Sequence, residues 1–178
     1  NTHLLLIVND NKLPSPPRHL FSVPIKVNPR DCVPKDYIRD NIKTNFKLID
    51  KWLGKFPMHD NKCIIVSGGP YTDYKKLQAL IKNNPTAKIV AVKHSYGKLL
   101  EHNIKPWACV VLDPRPITGK STHGIIRKDL FKNIDQSTKF FVASMTDPSV
   151  TKYLIERKAN IWGWHAFTES LRDPEEQK

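Results

Sequence analysis

Five short apolar runs alternate with helical segments between Lys62 and Trp164, and this rhythm restricts the fold more than any other feature of the chain. The runs are rich in valine, isoleucine and phenylalanine, and each is short enough to be one buried strand. They are Cys63–Val66, Ile89–Val92, Cys109–Leu112, Phe140–Ala143 and Ile161–Trp162. Because strands that alternate with helices are typical of a parallel sheet, we predict an α/β protein with a Rossmann-like, mostly parallel sheet and helices on both faces.

The flanking sequence divides the chain into three parts. Residues 1–35 are rich in proline, which predicts an irregular lead-in with short strands. We expect residues 36–172 to form one Rossmann-like domain, since a chain of 178 residues can bury a sizeable core, and residues 173–178 to be a polar tail. An amphipathic helix is predicted from Asp36 to Leu53, because its apolar residues recur every three or four positions.

The chain carries a formal net charge of +12, which would suit nucleic acid, a membrane surface or a phosphorylated ligand. The excess is lysine scattered over the predicted helices rather than a block of like charge, and this is typical of a solvated surface. The apolar stretch Leu4–Val8 is too short to cross a membrane. We therefore expect no membrane partner, regard nucleic acid as the weaker alternative, and keep a phosphorylated small molecule as a candidate ligand.

The cysteines predict a reducing environment. Cys32, Cys63 and Cys109 show no spacing typical of a metal site or a redox motif. Two of them lie inside apolar runs, where a free thiol behaves as a small hydrophobe. Free thiols are usual in reducing compartments, so we predict a cytoplasmic protein.

The first predicted strand ends in a loop that could bind a phosphate. This glycine loop is Ser67-Gly68-Gly69-Pro70, with Thr72 shortly after it, and it precedes a predicted helix. Two glycines let a backbone approach a ligand closely, and a helix N-terminus offers N–H groups to an anion. The pattern also suits a plain turn, because it is neither a Walker A motif nor a dinucleotide GxGxxG. From spacing alone, both interpretations stay open.

Charged and polar residues follow the later strands too, at the edge of a parallel sheet where ligands collect. Lys93 could face a phosphate, and Ser95 could cap the next helix. Asp113 lies where Mg²⁺ or a ribose hydroxyl would be held, or it only caps a turn, and the guanidinium of Arg115 suits a phosphate. His165 is a candidate acid or base, although a structural role is the commoner one for a single histidine.

Three segments together resemble the DUF115 family. They are Ile64–Pro70, Ile104–Pro106 and Val110–Pro114, while Ile38–Ile42 with Asn45 resembles the lead-in helix of the family. The family includes archaeal 6-hydroxymethylpterin diphosphokinases of the MptE type and flagellin-modifying motility accessory factors. These are similar to sialyltransferases of the bacterial GT-42 type. The likeness covers roughly residues 36–165.

The resemblance implies that the glycine loop holds a nucleotide phosphate and that Asp113 lies at the nucleotide or metal site. The family loop usually continues Gly-Pro-Ser-Leu, whereas this chain has Tyr71 and Thr72. Thr72 or Ser67 would therefore have to supply the missing hydroxyl. The family also continues beyond the Trp164 region into a second glycine-containing strand and helix, so we expect a domain that is truncated at its C-terminal end.

From the residues and the resemblance we predict a nucleotide-dependent transferase, most like a diphosphokinase. Mg²⁺ held partly by Asp113 would bridge the phosphates of ATP, and the glycine loop with Lys93 or Arg115 would neutralise charge during attack by a small hydroxylated acceptor. One alternative is glycosyl transfer from a CMP-sugar donor, with His165 or His94 as the base. Another is a catalytically inert binding or assembly module in an oligomer or larger particle.

Overall fold

The predicted strands form one parallel sheet. The computed structural model describes residues 33–54, 61–69, 71–117 and 128–166. Its strands are β1 (Cys63–Val66), β2 (Lys88–Val92), β3 (Ala108–Val111), β4 (Lys139–Ala143) and β5 (Asn160–Trp164). They lie side by side in sequence order, and each pairs in parallel with its neighbour. The α/β class and the Rossmann-like parallel sheet are confirmed, although each strand after β1 begins one residue earlier than predicted.

Helices connect the strands as the sequence predicted. The structure contains α1 (Lys35–Leu48), α2 (Tyr74–Asn83), α3 (Lys93–Glu101), α4 (Pro148–Glu156) and a short 3-10 helix (Lys128–Phe131). Helix α4 begins at Pro148, directly after its N-cap residue Asp147. The Asp147 carboxylate accepts a hydrogen bond from the backbone N–H of Ser149 at 2.8 Å, and proline occupies the start of the first turn.

One face of the sheet carries the main hydrophobic core. Side chains alternate along a strand, so every second strand residue points to this face, which α2, α3 and α4 cover. Buried contributors include Val66, Val111 and Val142 from the strands and Leu77, Leu99 and Leu154 from the helices. Of the described helices, α1 alone reaches the opposite face, where Ile38 lies with Ala143 and Trp164 near the carboxyl ends of β4 and β5. Helices thus contact both faces, but very unequally.

Helix α1 is shorter than the predicted span from Asp36 to Leu53. It ends at Leu48, and Ile49 is already extended. The chain then pairs in parallel with the outer edge of β5: the Leu53 N–H donates to the Gly163 carbonyl oxygen at 2.8 Å, and the Gly163 N–H donates to the Lys51 carbonyl oxygen at 2.7 Å. These edge hydrogen bonds replace the helical ones, and periodicity alone does not reveal them.

The indole of Trp52 leaves no room for a side chain at Gly163. An ideal Cβ at this glycine would lie 2.6 Å from Cε3 of Trp52, and two further ring atoms would lie within 2.8 Å. We expect Gly163→Ala to lower the free energy of unfolding by about 1–3 kcal/mol, because the indole must leave its packed position. Urea denaturation followed by tryptophan fluorescence measures this loss.

Gly97 provides the matched control for that substitution. A Cβ there would meet only the Leu130 carbonyl oxygen, at 3.7 Å. Since alanine favours a helix over glycine by about 0.5–1 kcal/mol, Gly97→Ala in α3 should leave stability unchanged or raise it. Equal denaturation midpoints for the Gly163→Ala variant and the parent would contradict this account of Trp52 packing.

Several predicted features lie outside the described residues. These are the short strands of residues 1–32, the polar tail of residues 173–178, and most of the helical segment predicted between the third and fourth apolar runs. Within the described ranges, no helix is long and apolar enough to cross a membrane.

Candidate functional site

The carboxyl ends of the strands meet at one edge of the sheet, which brings the predicted site residues into one row. Ser67 follows β1, α3 follows β2 directly, Asp113 lies two residues beyond β3, and His165 follows β5. The loop after β4 is Ser144–Asp147. Because β4 lies between β3 and β5, the ends that carry Asp113 and His165 are two strand spacings apart, about 10 Å.

The glycine loop lies against the first turn of α3. An ideal Cβ at Gly68 would lie 2.5 Å from the Cβ of His94, whereas a Cβ at Gly69 would meet nothing within 4 Å. The loop from residue 67 to residue 69 is exposed, and Thr72 is half-buried just before α2. Pro70 lies outside the described residues. A close approach between backbone and side chain therefore explains the glycine at position 68.

The two glycines give a matched pair of substitutions. Gly68→Ala should lower the free energy of unfolding by about 1–3 kcal/mol, because the new methyl group overlaps the His94 side chain close to its backbone. Gly69→Ala should change it by less than about 0.5 kcal/mol. Thermal unfolding of the two variants tests this difference, and equal losses would show that His94 does not restrict the loop.

Ser95 does not cap α3, contrary to the prediction. The helix begins at Lys93, and Val92 at the N-cap position makes no side-chain hydrogen bond. The buried Oγ of Ser95 lies 2.6 Å from the Val66 carbonyl oxygen and 3.0 Å from the Val92 carbonyl oxygen. A hydroxyl directed at these carbonyl groups fixes the end of β1 against α3. Its predicted contact with a ligand phosphate stays a prediction.

Lys93, Asp113 and Arg115 form a charged cluster at the middle of this edge. The Lys93 ammonium donates to Oδ2 of Asp113. Arg115 donates through Nε to Oδ1 at 2.8 Å, through Nη2 to Oδ2 at 2.7 Å, and through its backbone N–H to Oδ1 at 3.1 Å. Lys93 and Asp113 are 8% and 4% exposed, whereas Arg115 is half-buried. Two positive charges and one negative charge give the cluster a net charge of +1.

The cluster keeps Asp113 ionised. Burial by itself would raise the pKa of the Asp113 carboxyl, but the hydrogen bonds from Arg115 and Lys93 outweigh burial and lower the pKa to about 2. Both hydrogen-bond donors are cations, so they stabilise the charged form of the carboxyl. The carboxylate is thus a permanent anion at neutral pH.

Asp113 does not fit the predicted role of a Mg²⁺ ligand in this arrangement. An ionised carboxylate offers about four lone-pair positions, and four donor groups of Lys93 and Arg115 already contact its two oxygens. No group of three His, Cys, Asp or Glu side chains that could hold a metal ion occurs in the described part of the chain. Mg²⁺ often binds mainly through substrate phosphates, so the ion would have to enter with the nucleotide.

Helix α1 holds the loop after β4 through two buried asparagines, which sequence reasoning did not identify as part of the site. The Asn41 amide donates to the carbonyl oxygens of Pro114 and Met145, both at 3.2 Å. The Asn45 amide donates to the carbonyl oxygens of Ser144 and Thr146, at 2.9 and 2.5 Å. The signal was present in the sequence: both asparagines lie one turn apart on the apolar side of an amphipathic helix.

Tyr37 extends this anchoring to the start of α4. Its hydroxyl donates to Oδ2 of Asp147 at 2.5 Å. Burial, together with the hydrogen bond to Asp147, raises the pKa of Tyr37 to about 12. The backbone N–H of Asp147 also donates to the Asp113 carbonyl oxygen at 3.0 Å. The loop after β4 is therefore fixed both to α1 and to the charged cluster.

His165 is held by aromatic contacts at the far end of the edge. Its ring stacks on Trp52 with the centroids 4.9 Å apart and lies 5.0 Å from the ring of Phe46. Nδ1 of His165 is 3.0 Å from Oγ of Ser144. The histidine is exposed, so its predicted role as an acid or base is compatible with its position and stays a prediction.

Comparison with known proteins gave one family match. A family model described as 6-hydroxymethylpterin diphosphokinase MptE-like matches residues 37–178. No curated protein and no solved structure matched the chain. The matched region includes every strand of the sheet and every residue of the charged cluster.

Proposed function

The chain belongs to the MptE-like family of 6-hydroxymethylpterin diphosphokinases, as predicted, and on that premise we propose that it is a nucleotide-binding transferase of the diphosphokinase type. The proposed donor is ATP, and the proposed acceptor is a small hydroxylated molecule such as a hydroxymethylpterin. Mg²⁺ belongs to this proposal as an ion carried on the ATP phosphates. The family membership supports the reaction class, and the residues at the carboxyl edge support the place of binding.

The observation that carries the proposal is the charged cluster beside the glycine loop. Gly68 lies against His94, and the neighbouring Lys93 is paired with Asp113. The loop and the cluster are therefore adjacent. An exposed glycine-containing loop and a cluster with net positive charge are suited to a phosphate chain, because backbone N–H groups and a guanidinium both donate to phosphate oxygens.

In the proposed reaction the acceptor hydroxyl oxygen attacks the β-phosphorus of ATP. A new bond forms between that oxygen and the β-phosphorus, and the bond from the β-phosphorus to the bridging oxygen of AMP breaks. AMP leaves with the electron pair of that bond. Arg115 would neutralise charge on the transferred group. His165 is the candidate base for the acceptor proton, and the strand end that carries it is about two strand spacings from the one that carries Asp113.

Glycosyl transfer from a CMP-sugar is the second candidate, and one observation favours it. The Asp113 oxygens are engaged by Lys93 and Arg115, so this carboxylate is not available to a metal, and the GT-42-type enzymes need not use one. A catalytically inert assembly module is the third candidate.

The free thiols of Cys63 and Cys109 are compatible with the proposed cytoplasmic location.

Product analysis tests these alternatives directly. The full chain is incubated with ATP, Mg²⁺ and 6-hydroxymethylpterin, and AMP is measured by chromatography, with Arg115→Gln as the variant. AMP that forms only with the acceptor present, and that falls with the variant, supports the diphosphokinase proposal. Release of CMP from a CMP-sugar to an acceptor would support glycosyl transfer. Nucleotide binding without either product would support the inert module.

A further inference from the structure

All the hydrogen bonds described for the Asp113 carboxylate are donated by Lys93 or Arg115. Four donor groups contact its two carboxylate oxygens, three of them from Arg115 and one from Lys93. A carboxylate that ligates a metal needs a lone pair directed at the ion. Asp113 instead resembles an internal counter-anion, whose partners are fixed by the protein.

The three side chains differ in how far a ligand can reach them. The side chains of Asp113 and Lys93 are only 4% and 10% exposed, whereas the side chain of Arg115 is 37% exposed. Lys93 and Asp113 are therefore both buried, and Arg115 is the most exposed member of the cluster and the one that a phosphate reaches most easily. The predicted contact of Lys93 with a ligand phosphate stays a prediction, and the exposures favour Arg115 for that role.

The geometry of the Arg115 pair is bidentate. Nε and Nη2 each donate to a different oxygen of Asp113, which fixes the plane of the guanidinium. The guanidinium is a planar, rigid fork. The carboxylate thus sets the orientation of the whole exposed guanidinium.

We propose that Asp113 is a positioning residue that orients Arg115 toward the phosphate of the bound nucleotide, and that it is not a ligand of a divalent cation. This inference rests on the proposed nucleotide binding. Lys93 is a second, buried cation paired with Asp113, and Arg115 makes the contact with the ligand. The site therefore binds an anion through Arg115, whose charge is partly balanced by the Asp113 carboxylate. Part of the affinity of the site for nucleotide is then independent of metal.

Metal-free binding tests the orienting role. The affinity for ATP is measured by calorimetry in the presence of EDTA. We expect Arg115→Gln to weaken binding about 10- to 100-fold, as is typical for loss of a hydrogen bond to a charged group. Arg115→Lys should weaken it nearly as much, because lysine keeps the charge but cannot form the bidentate pair. Arg157→Gln is the control, since this arginine lies at the C-terminal end of α4, whereas the N-terminal end of that helix faces the site.

Asp113→Asn distinguishes a role in orienting Arg115 from a general role in holding the structure. We expect it to weaken metal-free ATP binding in the parent but not in the Arg115→Gln background, because Asp113 acts through Arg115. Tighter ATP binding by Asp113→Asn would mean that the carboxylate competes with the ligand, and it would overturn the proposal. Parent-like binding by Arg115→Lys, or ATP binding only with Mg²⁺, would overturn it as well.

Mn²⁺ alone gives a second measurement that does not depend on nucleotide. Electron paramagnetic resonance reports free Mn²⁺ during titration of the nucleotide-free protein. We expect the same free signal with the parent and with Asp113→Asn. Mn²⁺ binding that is present in the parent and lost in Asp113→Asn would overturn the positioning role. If no nucleotide binds under any condition, the proposed function fails, and the Mn²⁺ result still decides whether Asp113 is a metal ligand.

Discussion

Asp113→Ala is expected to lower the free energy of unfolding at pH 7 by about 3–5 kcal/mol, which is typical when one partner of a buried ion pair is removed. The substitution leaves the Lys93 side chain, which is only 10% exposed, without its carboxylate partner. It also removes the acceptor of the bidentate Arg115 pair. Chemical denaturation at neutral pH measures the loss.

Asp40→Ala is the control for that substitution. Asp40 pairs with Lys43 at 3.9 Å, and both side chains are 77% exposed. Exposed pairs of this kind contribute less than about 1 kcal/mol, so this variant should remain close to the parent. A similar small loss for Asp113→Ala would show that the charged cluster does not stabilise the fold.

The Asp113 carboxylate also makes the free energy of unfolding depend on pH. The pKa of Asp113 in the folded protein is about 2, below the value of about 3.9 expected in the unfolded chain. The stabilisation by the ionised carboxylate is therefore complete above pH 3.9 and is lost as the pH falls through the folded pKa. In denaturation experiments between pH 5 and pH 2, the parent should lose its advantage over Asp113→Asn as the solution is acidified.

Asn45→Asp is the second substitution with a large expected effect. Asn45 is fully buried, and its amide donates to two carbonyl oxygens while its own oxygen accepts from Oγ1 of Thr151 at 2.8 Å. An aspartate would place a buried charge against two carbonyl groups. We expect a loss of about 3 kcal/mol or more in the free energy of unfolding, because both donors disappear and a charge is desolvated.

The size of the Asn45→Asp effect should depend on pH. A buried carboxyl among carbonyl oxygens has a raised pKa, and its protonated form donates a hydrogen bond again. The difference between variant and parent should therefore shrink as the pH falls from 7 to 5. Asn83→Asp, an exposed substitution at the end of α2, is the isosteric control and should have little effect at any pH. A loss for Asn45→Asp no larger than that of the control would contradict the anchoring of α1.

The sheet could be predicted from the sequence because its signals are local. Runs such as Cys63–Val66 are apolar over a strand length, and the Asp147-Pro148 pair marks a helix start by capping chemistry. The carboxyl-edge residues follow from the same reasoning, since parallel strands place their ends together. The position of Asp113 and Arg115 at this edge follows from the sequence in the same way, because both come shortly after the third apolar run.

The contacts within the site could not be predicted, because they join distant parts of the chain. The sequence predicts a ligand contact for Lys93 and gives no sign that this lysine pairs with a carboxylate twenty residues away. The sequence predicts a helix cap at Ser95, yet its hydroxyl lies against the end of β1. The end of α1 was misplaced because Trp52 pairs with the edge of β5, an interaction that competes with the helical period.

The most direct measurement of the central claim is amide hydrogen exchange of the full chain, with and without ATP and Mg²⁺. We predict slower exchange at Gly68, at Gly69 and at the backbone N–H of Arg115, because a bound phosphate chain would shield this edge of the sheet. Slower exchange confined to the opposite edge, around Lys105 and Trp107, or no change anywhere, would contradict a nucleotide site at the glycine loop and the charged cluster.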